Sequence, residues 1–343
     1  MTAATAMSSA IARGAARGTP RKMDKRTTRS ATVRRHRSAV RLEATSEAAT
    51  AETNAPAAAA GESFDWFSAW YPLRPVSFLD ANEPNELRVL GKKLVAYLDP
   101  TCKEWRVLED SCPHRRAPLS LGYVQKDGTL ACRYHGWAFD GKDGSCVSIP
   151  MSVDEAAEKT ACASPRSCAT SYPSRVEDGI LWVWPTAGAD GLLASAGAPC
   201  ATSLAREGTL PGEWGMVELP VGYAPALENQ FDPSHAEWLH ARYDAESNIR
   251  SVSEMADFVP MTKFESFDDD TTEGFKVRHG GYNAANSNID ATRVFTAPCS
   301  SRSEYLDDKG KPYLSAHILY TPTEPNRTLM SVSYTHLTLP TKA

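Results

Sequence analysis

The sequence predicts an all-β domain followed by an α+β domain, and three observations lead to this fold class. Short β-rich runs alternate with turn clusters through the first half of the chain. Two mixed pairs of cysteine and histidine lie within those runs, and a segment with two further histidines follows at residues 228–240. The length of 343 residues leaves room for both domains, and 42% hydrophobic residues suffice for a sizeable core.

The predicted all-β domain spans residues 62–186. Its apolar residues are concentrated in short runs, and the clusters QKDGT and DGKDGS between them are typical of turns. This pattern predicts short strands joined by tight turns. The runs are LRVLGKKLVAYLD, EWRVLEDSC, GTLACRYHGWAFD and GILWVWP.

Residues 1–41 differ in composition from the rest of the chain. They contain eleven Lys and Arg, a single acid (Asp24) and no apolar central run. This composition is typical of an organellar transit peptide, and residues 42–61, biased toward Ala, Glu and Thr, resemble a disordered linker. A basic arm that binds RNA or lipid is the alternative.

The remainder of the chain is acidic. Removing the eleven bases and the one acid from the totals of 37 and 42 leaves 26 Lys and Arg against 41 Asp and Glu. This charge argues against nucleic acid as the main partner, because phosphate binding needs clustered bases. No run of eighteen apolar residues occurs, so the sequence predicts no membrane-spanning helix within it.

Cys112, His114, Cys132 and His135 form the most specific motif of the chain. Their spacing is C-x-H, seventeen intervening residues and C-x-x-H. A Rieske-type 2Fe–2S cluster binds two thiolates on one iron and two imidazoles on the other, so each of two loops delivers one cysteine and one histidine. Neutral imidazoles make the cluster easier to reduce than four thiolates do, which suits an acceptor of electrons from a ferredoxin-like donor.

A tetrahedral zinc site is the alternative, because it also uses two cysteines and two histidines. Zinc-binding loops more often pair like with like, so the mixed and unequal spacing favours the 2Fe–2S cluster. The eight cysteines are not expected to form a disulfide framework, because the chain has no secretory signal. Cys146, Cys162 and Cys168 have no partner at ligand spacing and are interpreted as small, buried hydrophobic residues.

The segment ENQFDPSHAEWLH at residues 228–240 contains two candidate ligands of a second iron, His235 and His240. Two histidines and one carboxylate on one face of an iron leave positions open for dioxygen. On an ideal α-helix the two histidines stand about 140° apart, so both reach one ion only if the helix is distorted. The third ligand, a carboxylate, is missing from the pattern. The acids at 268–270, 290 and 307 are interpreted as solvated loop charges.

Asp232 has two interpretations. With Pro233 it is typical of the N-cap and first residue of a helix. Alternatively, it hydrogen-bonds one ligand histidine of each metal centre and thereby couples the two centres. The neighbouring aromatic residues are equally open, since Tyr223, Phe231 and Trp238 could line an apolar pocket or pack in the core.

From about Phe64 to Met330 the chain resembles the plastid Rieske oxygenases. This family includes pheophorbide a oxygenase, chlorophyllide a oxygenase and the Rieske protein of the chloroplast inner-envelope translocon. The motifs CPHRRAPLS and CRYHGWAFDG identify the broad class, whereas GSCVSIP and SPRSCATSYP narrow it to this plastid group. The motifs WYPL, GILWVWP and ENQFDPSHAEWLH also match.

The resemblance implies a Rieske domain at residues 62–186 and, at residues 187–331, an incomplete catalytic domain with a helix-grip-like sheet. It implies a chloroplast homotrimer in which electrons from a ferredoxin-like donor pass through the 2Fe–2S cluster to a mononuclear non-haem iron. That iron activates O2 to oxygenate a chlorophyll-type tetrapyrrole, whose identity no motif reports. A non-enzymatic redox sensor of the inner-envelope translocon is the alternative. The implied site residues are the cluster ligands Cys112, His114, Cys132 and His135, the iron ligands His235 and His240, and the electron-bridging Asp232.

The C-terminal end departs from the family, whose members continue into a third iron ligand, a C-x-x-C pair and membrane anchors. The last twelve residues, VSYTHLTLPTKA, resemble a translated sequencing adapter. We therefore expect the authentic sequence to end near Ser331 and residues 332–343 to be an artefact. We also expect the chain as given to form the cluster but to be inactive as an oxygenase.

Overall fold

The computed structural model describes residues 64–201, 213–232, 242–244, 249–251, 263–266, 274–284, 287–306, 309 and 312–336. Within these ranges the chain forms twenty strands and three α-helices. The predicted transit peptide and linker, residues 1–41 and 42–61, lie outside them, and both stay predictions.

The first half of the described chain contains eleven short strands. They are β1 (Tyr71–Pro75), β2 (Asn85–Val89), β3 (Lys92–Leu98), β4 (Trp105–Glu109), β5 (Tyr123–Val124), β6 (Leu130–Ala131), β7 (Ala138–Phe139), β8 (Cys146–Ser148), β9 (Ser171–Tyr172), β10 (Ser174–Glu177) and β11 (Ile180–Val183). They form three antiparallel sheets with the strand orders β1-β11-β10, β2-β3-β4-β9 and β5-β6-β7-β8. We call the third, which contains β5 to β8, the cluster sheet.

The run LRVLGKKLVAYLD is a hairpin, because β2 and β3 are joined by a two-residue turn. Its central residues, Leu90 and Gly91, have φ of 50° and 74°, and two positive φ angles are what a type I′ hairpin turn requires. The turn also contacts the second half of the chain. The N–H of Leu90 donates to the carbonyl of Pro322 at 2.7 Å, and that of Gly91 donates to Thr323 at 3.0 Å.

The second half is dominated by one antiparallel sheet with strand order β12-β20-β19-β18-β17-β16-β15. The strands β13 and β14 form a separate pair. This arrangement confirms the predicted fold class, an all-β part followed by an α+β part with few helices. The strands are β12 (Trp214–Leu219), β13 (Arg242–Asp244), β14 (Ile249–Ser251), β15 (Lys263–Ser266), β16 (Gly274–Ala284), β17 (Ser287–Thr296), β18 (Ser300–Leu306), β19 (Pro312–Glu324) and β20 (Arg327–His336).

The three described α-helices are α1 (Glu155–Cys162), α2 (Gly188–Ala196) and α3 (Tyr223–Phe231). Helix α3 packs on β19 and β20, where its Ala226 contacts a core made by Ile318, Tyr320 and Val332. Helices α1 and α2 lie at the edge of the first half and bury few residues. Among the described residues, no helix has the length and hydropathy needed to cross a membrane.

A tryptophan-rich core joins the two halves of the chain. Trp70 and Trp184 meet edge to face with ring centroids 5.7 Å apart, and both pack with Trp214 of β12. The Arg175 guanidinium lies 4.3 Å from the centre of the Trp70 ring, which adds a cation–π contact. This core contains residues from both sides of the predicted domain boundary at residue 186. The boundary itself stays a prediction.

The C-terminal strand extends into the residues predicted to be an artefact. Val332 pairs with Gly215 on one side and Ile318 on the other, and it is buried. Residues 337–343 lie outside the described ranges, and the artefact hypothesis stays a prediction. Asp290 corrects the sequence interpretation, because it lies in β17 opposite Leu306 and not in a loop.

The tight packing of Gly122 leads to a prediction about stability. A Cβ atom on this glycine would lie 2.1 Å from the carbonyl oxygen of Ala131, so Gly122→Ala should lower the free energy of unfolding by about 1–3 kcal/mol. Urea unfolding measures the change. The matched control is Gly197→Ala, which has open space at the same atom and should change stability by less than about 0.5 kcal/mol. Equal losses in the two variants would contradict the steric explanation.

Candidate functional site

Two loops of the same design carry the four predicted cluster ligands. The first is Cys112–Ala117 and the second is Cys132–Trp137. In each, the cysteine N–H donates to the carbonyl of the residue five positions later, and the N–H of the residue four positions later donates back to the cysteine carbonyl. All four bonds measure 2.8 Å. The loops therefore present their side chains from nearly the same backbone frame.

The equivalent bend residues of the two loops are Arg116 and Gly136, which have φ of 57° and 74°. Glycine takes this left-handed conformation without steric cost, whereas a side chain there costs roughly 1–2 kcal/mol. Arg116 therefore holds a strained backbone conformation. Such strain persists where the surrounding structure fixes it, and it is common at functional sites.

The two thiols lie inside the protein. Cys112 and Cys132 are 2% and 1% exposed, and their sulfur atoms interact with one another. Burial is the main cause that raises the pKa of Cys112 to about 11, and the neighbouring Cys132 adds to it, while backbone N–H groups of the loop oppose it. A metal bound here would therefore have to displace the proton of Cys112.

The two imidazoles lie on the outer side of the thiols. His114 is exposed and His135 half-buried, and their ring centroids are 4.6 Å apart. Trp137 stacks on His114 at 4.8 Å with an interplanar angle of 5°, and Tyr134 lies 3.9 Å from His135. The pKa of His114 is lowered first by desolvation and then by the charges of His135 and Arg115. The neutral imidazole, which is the form that binds metal, is thereby favoured.

Residues outside the motif position the loops, and the sequence reasoning missed them. The buried carboxylate of Asp110 accepts from the Ser120 N–H at 2.6 Å and from its hydroxyl at 2.8 Å, which ties the chain after the first loop to its start. Pro150 covers the second loop, because its Cγ lies 3.2 Å from the position of a Cβ on Gly136. Neither contact leaves a signal in residue spacing.

The donor set fits a Rieske cluster, which takes two protein ligands at each iron. Two buried thiols and two imidazoles that meet edge to face are presented by matched loops, as that division requires. Through the described part of the chain, no group of three or more His, Cys, Asp and Glu converges on a single metal position.

The predicted second iron site is described only in part. His235, His240 and Trp238 lie outside the described residues. Asp232 is the exposed C-terminal cap of α3 and has an extended conformation, with ψ of 101°, as expected before a proline. Its N–H donates to the carbonyl of Glu228 at 3.0 Å.

Both aromatic residues of α3 are half-buried and pack against other side chains. Tyr223 donates its hydroxyl to the carbonyl of Pro298, and its ring meets the edge of Trp66. Phe231 contacts Phe275, with ring centroids 4.8 Å apart. Of the two interpretations given to Tyr223 and Phe231, these contacts favour core packing.

Two other cysteines of the first half, Cys146 and Cys162, lie close to one another. Cys146 is buried, as predicted, but Cys162 and Cys168 are half-buried. The Sγ atoms of Cys146 and Cys162 are 3.5 Å apart. The interpretation of these cysteines as small, buried hydrophobic residues is therefore confirmed for Cys146 and wrong for Cys162 and Cys168.

Known proteins share the motif, the fold and much of the sequence. The Rieske [2Fe-2S] domain family matches residues 69–164. Pheophorbide a oxygenase from Oryza sativa subsp. japonica is 34% identical over 261 residues, which cover 76% of this chain and 46% of that protein. Protochlorophyllide-dependent translocon component 52 from Arabidopsis thaliana is 34% identical over 181 residues, covering 52% of this chain and 32% of that protein.

Solved structures show the same fold. The crystal structure of dicamba monooxygenase bound to dicamba superposes with a TM-score of 0.61 at 22% identity and covers 78% of this chain and 77% of that chain. At that identity the likeness concerns the fold alone. The chain spans less than half the length of the two curated relatives, so the activity of a whole protein is inferred separately below.

These matches decide between the two metals considered from the sequence, because the matching domain family is defined by a 2Fe–2S cluster. Both curated relatives are chloroplast proteins, which confirms the chloroplast location implied by the resemblance. The chain belongs to the plastid family of Rieske-type non-haem iron oxygenases.

Proposed function

We propose that this chain is part of an oxygenase that acts on a chlorophyll-type tetrapyrrole and receives electrons through its Rieske domain. The observation that carries the proposal is the pair of matched loops. The buried Cys112 and Cys132 would hold one iron of the cluster, and the more exposed His114 and His135 would hold the other. When bound, the cluster supplies single electrons taken from a ferredoxin-like donor.

The residues around the ligands keep this arrangement in place. Trp137 lies flat against His114 and excludes water from one face of that imidazole. Asp110 holds the chain after the first loop through Ser120, so the Cys112 loop keeps its position relative to the cluster sheet. The exposed edge of His114 leaves a short path for an electron to or from a partner surface.

The second centre is assigned to the segment that follows α3. His235 and His240 hold a mononuclear iron, which when bound supplies open positions for dioxygen. Asp232, at the exposed end of α3, hydrogen-bonds ligand histidines and couples the centres. The position of the segment supports this assignment, since it directly follows α3, which packs on the seven-stranded sheet.

The tetrapyrrole class is supported by the relatives named pheophorbide a oxygenase in rice and Arabidopsis thaliana, which match over about three quarters of the chain. A redox role in protein import is the second candidate. It is favoured by the match to a protochlorophyllide-dependent translocon component, which is confined to about half of the chain.

A second copy of this chain is the proposed partner at the cluster edge. Large apolar side chains are exposed throughout the segment around the cluster, and an apolar surface of this kind is typical of a protein contact. A homotrimer would cover it and shorten the path between a cluster and a neighbouring iron. The exposed side chains are Leu121, Tyr123, Tyr134, Val147, Met151 and Val153.

The cluster assignment predicts the effect of removing one thiol. Cys132→Ser should abolish the visible absorption and the EPR signal of the reduced cluster, because a hydroxyl does not replace a thiolate on iron. Iron analysis of the anaerobically purified protein provides the second measurement. Cys168→Ser, the same chemical change at a half-buried cysteine, should keep both signals. A normal cluster in Cys132→Ser would overturn the assignment.

The trimer prediction can be tested by charging the exposed apolar surface. Met151 and Val153 are 82% and 91% exposed, so replacing both with lysine should leave the fold intact but dissociate the trimer. Light scattering and sedimentation measure the mass. In the matched control, Leu192 and Leu193 of α2, 64% and 80% exposed, are both replaced by lysine and the trimer should persist. A monomeric parent protein, or equal dissociation in both variants, would contradict the proposal.

The catalytic proposal predicts tetrapyrrole-dependent O2 uptake by the full-length protein with reduced ferredoxin. His235→Ala should lower that rate at least about 100-fold and remove one iron per chain, while the EPR signal of the cluster stays unchanged. An unchanged rate would exclude His235 as a ligand. If the parent protein binds the second iron but consumes no O2 with any chlorophyll-type substrate, the redox role in import is the better function.

A further inference from the structure

A pair of thiols lies beside the cluster and has no part in the function proposed above. Cys146 begins β8, and Cys162 is the last residue of α1. The thiol of Cys146 donates to the sulfur of Cys162, and the two Sγ atoms are 3.5 Å apart. A disulfide requires about 2.05 Å, so the sulfur atoms need to approach by only about 1.5 Å.

The two thiols differ in exposure, which gives them different roles in exchange. Cys162 is partly exposed and accessible to a reagent in solution, whereas Cys146 is buried. Burial, together with Cys162 itself, raises the pKa of Cys146 to about 12. Cys162 is therefore the residue that meets an external disulfide, and Cys146 is the one that completes the bond.

Helix α1 depends for its stability on contacts with the rest of the protein, because it is short and has no buried residue. Helices of this length are marginal on their own. Its middle is held by Glu158, whose carboxylate accepts from the Ser148 hydroxyl at 2.9 Å and from the Ile149 N–H at 2.7 Å. Its C-terminal end is held by packing, in which Cys162 contacts the core around the cluster thiols.

The contacts of Glu158 also connect α1 to the second cluster loop. Ile149, which Glu158 holds, precedes Pro150, and Pro150 packs over Gly136 in the loop that carries Cys132 and His135. A covalent bond at the end of α1 would therefore restrict the segment that covers this loop.

We propose that Cys146 and Cys162 form a redox modification site, a dithiol that external disulfides convert reversibly to an intramolecular disulfide, thereby fixing α1 against the second cluster loop. The proposal goes beyond the oxygenase function and does not depend on it. In a reducing compartment such bonds are typically transient and regulatory.

The reaction balances as two thiol–disulfide exchanges. The Cys162 thiolate attacks one sulfur of the external disulfide, which forms a mixed disulfide and releases one thiol. The Cys146 thiolate then attacks the Cys162 sulfur, which forms the internal bond and releases the second thiol. The protein loses two electrons and two protons, and the external disulfide gains them.

The experiment uses the cluster-loaded full chain, equilibrated anaerobically with glutathione mixtures from fully reduced to fully oxidised. Free thiols are alkylated, and the protein is digested and mapped by mass spectrometry. We expect a peptide pair joined through Cys146 and Cys162 that disappears on reduction. Cys162→Ser should abolish it, whereas Cys168→Ser should leave it intact. A link from Cys146 to Cys168, or two alkylated thiols in fully oxidised glutathione, would overturn the site.

The effect on the cluster loop has its own measurement. Oxidation should slow hydrogen exchange across α1 and residues 146–152 and shift the reduction midpoint of the cluster, and neither change should occur in Cys162→Ser. An unchanged cluster signal in that variant shows that it is folded. A disulfide that forms without either change would overturn the link to the cluster loop.

Discussion

One geometric constraint governs the first half of this protein: two separate loops must each bring a thiol and an imidazole to the same place. The backbone meets the constraint by closing both loops with the same pair of hydrogen bonds, from the N–H of Cys112 to Ala117 and from that of Cys132 to Trp137. The second loop is also the β6–β7 turn, so the cluster sheet fixes its two ends. The first has no such hairpin, and the Asp110 carboxylate takes that role by holding Ser120.

The thiols and the imidazoles of the site have opposite surroundings. The thiols face the core, where burial raises the pKa of Cys112 and where only a metal makes the thiolate favourable. The imidazoles face outward, and Trp137 and Tyr134 cover their faces but not all of their edges. A 2Fe–2S cluster held by these four residues would have its thiolate charge shielded from water and its imidazole-bound iron near the surface, and both features favour electron transfer.

The strands, and the two loops that bring Cys112, His114, Cys132 and His135 together, could be predicted from the sequence because both depend on residues that are neighbours in the chain. Contacts between distant residues could not be. The Cys146–Cys162 pair spans sixteen positions and forms only because α1 folds back on β8. The core that joins the halves brings Trp70 to Leu319, a separation that leaves no periodic pattern.

Two features define the C-terminal end of α3: the packing of the helix on the large sheet and the proline that follows Asp232. Ala226 packs α3 on the large sheet, and Phe231 extends that contact to Phe275, so the direction of the helix is fixed by its apolar face. Pro233 forces the preceding residue out of the helical conformation, and Asp232 accordingly adopts an extended one. Helix α3 therefore ends at Phe231, and its residue spacing does not extend through the proline. Because His235 and His240 follow Pro233 in the chain, the 3.6-residue period of α3 does not relate either histidine to Asp232.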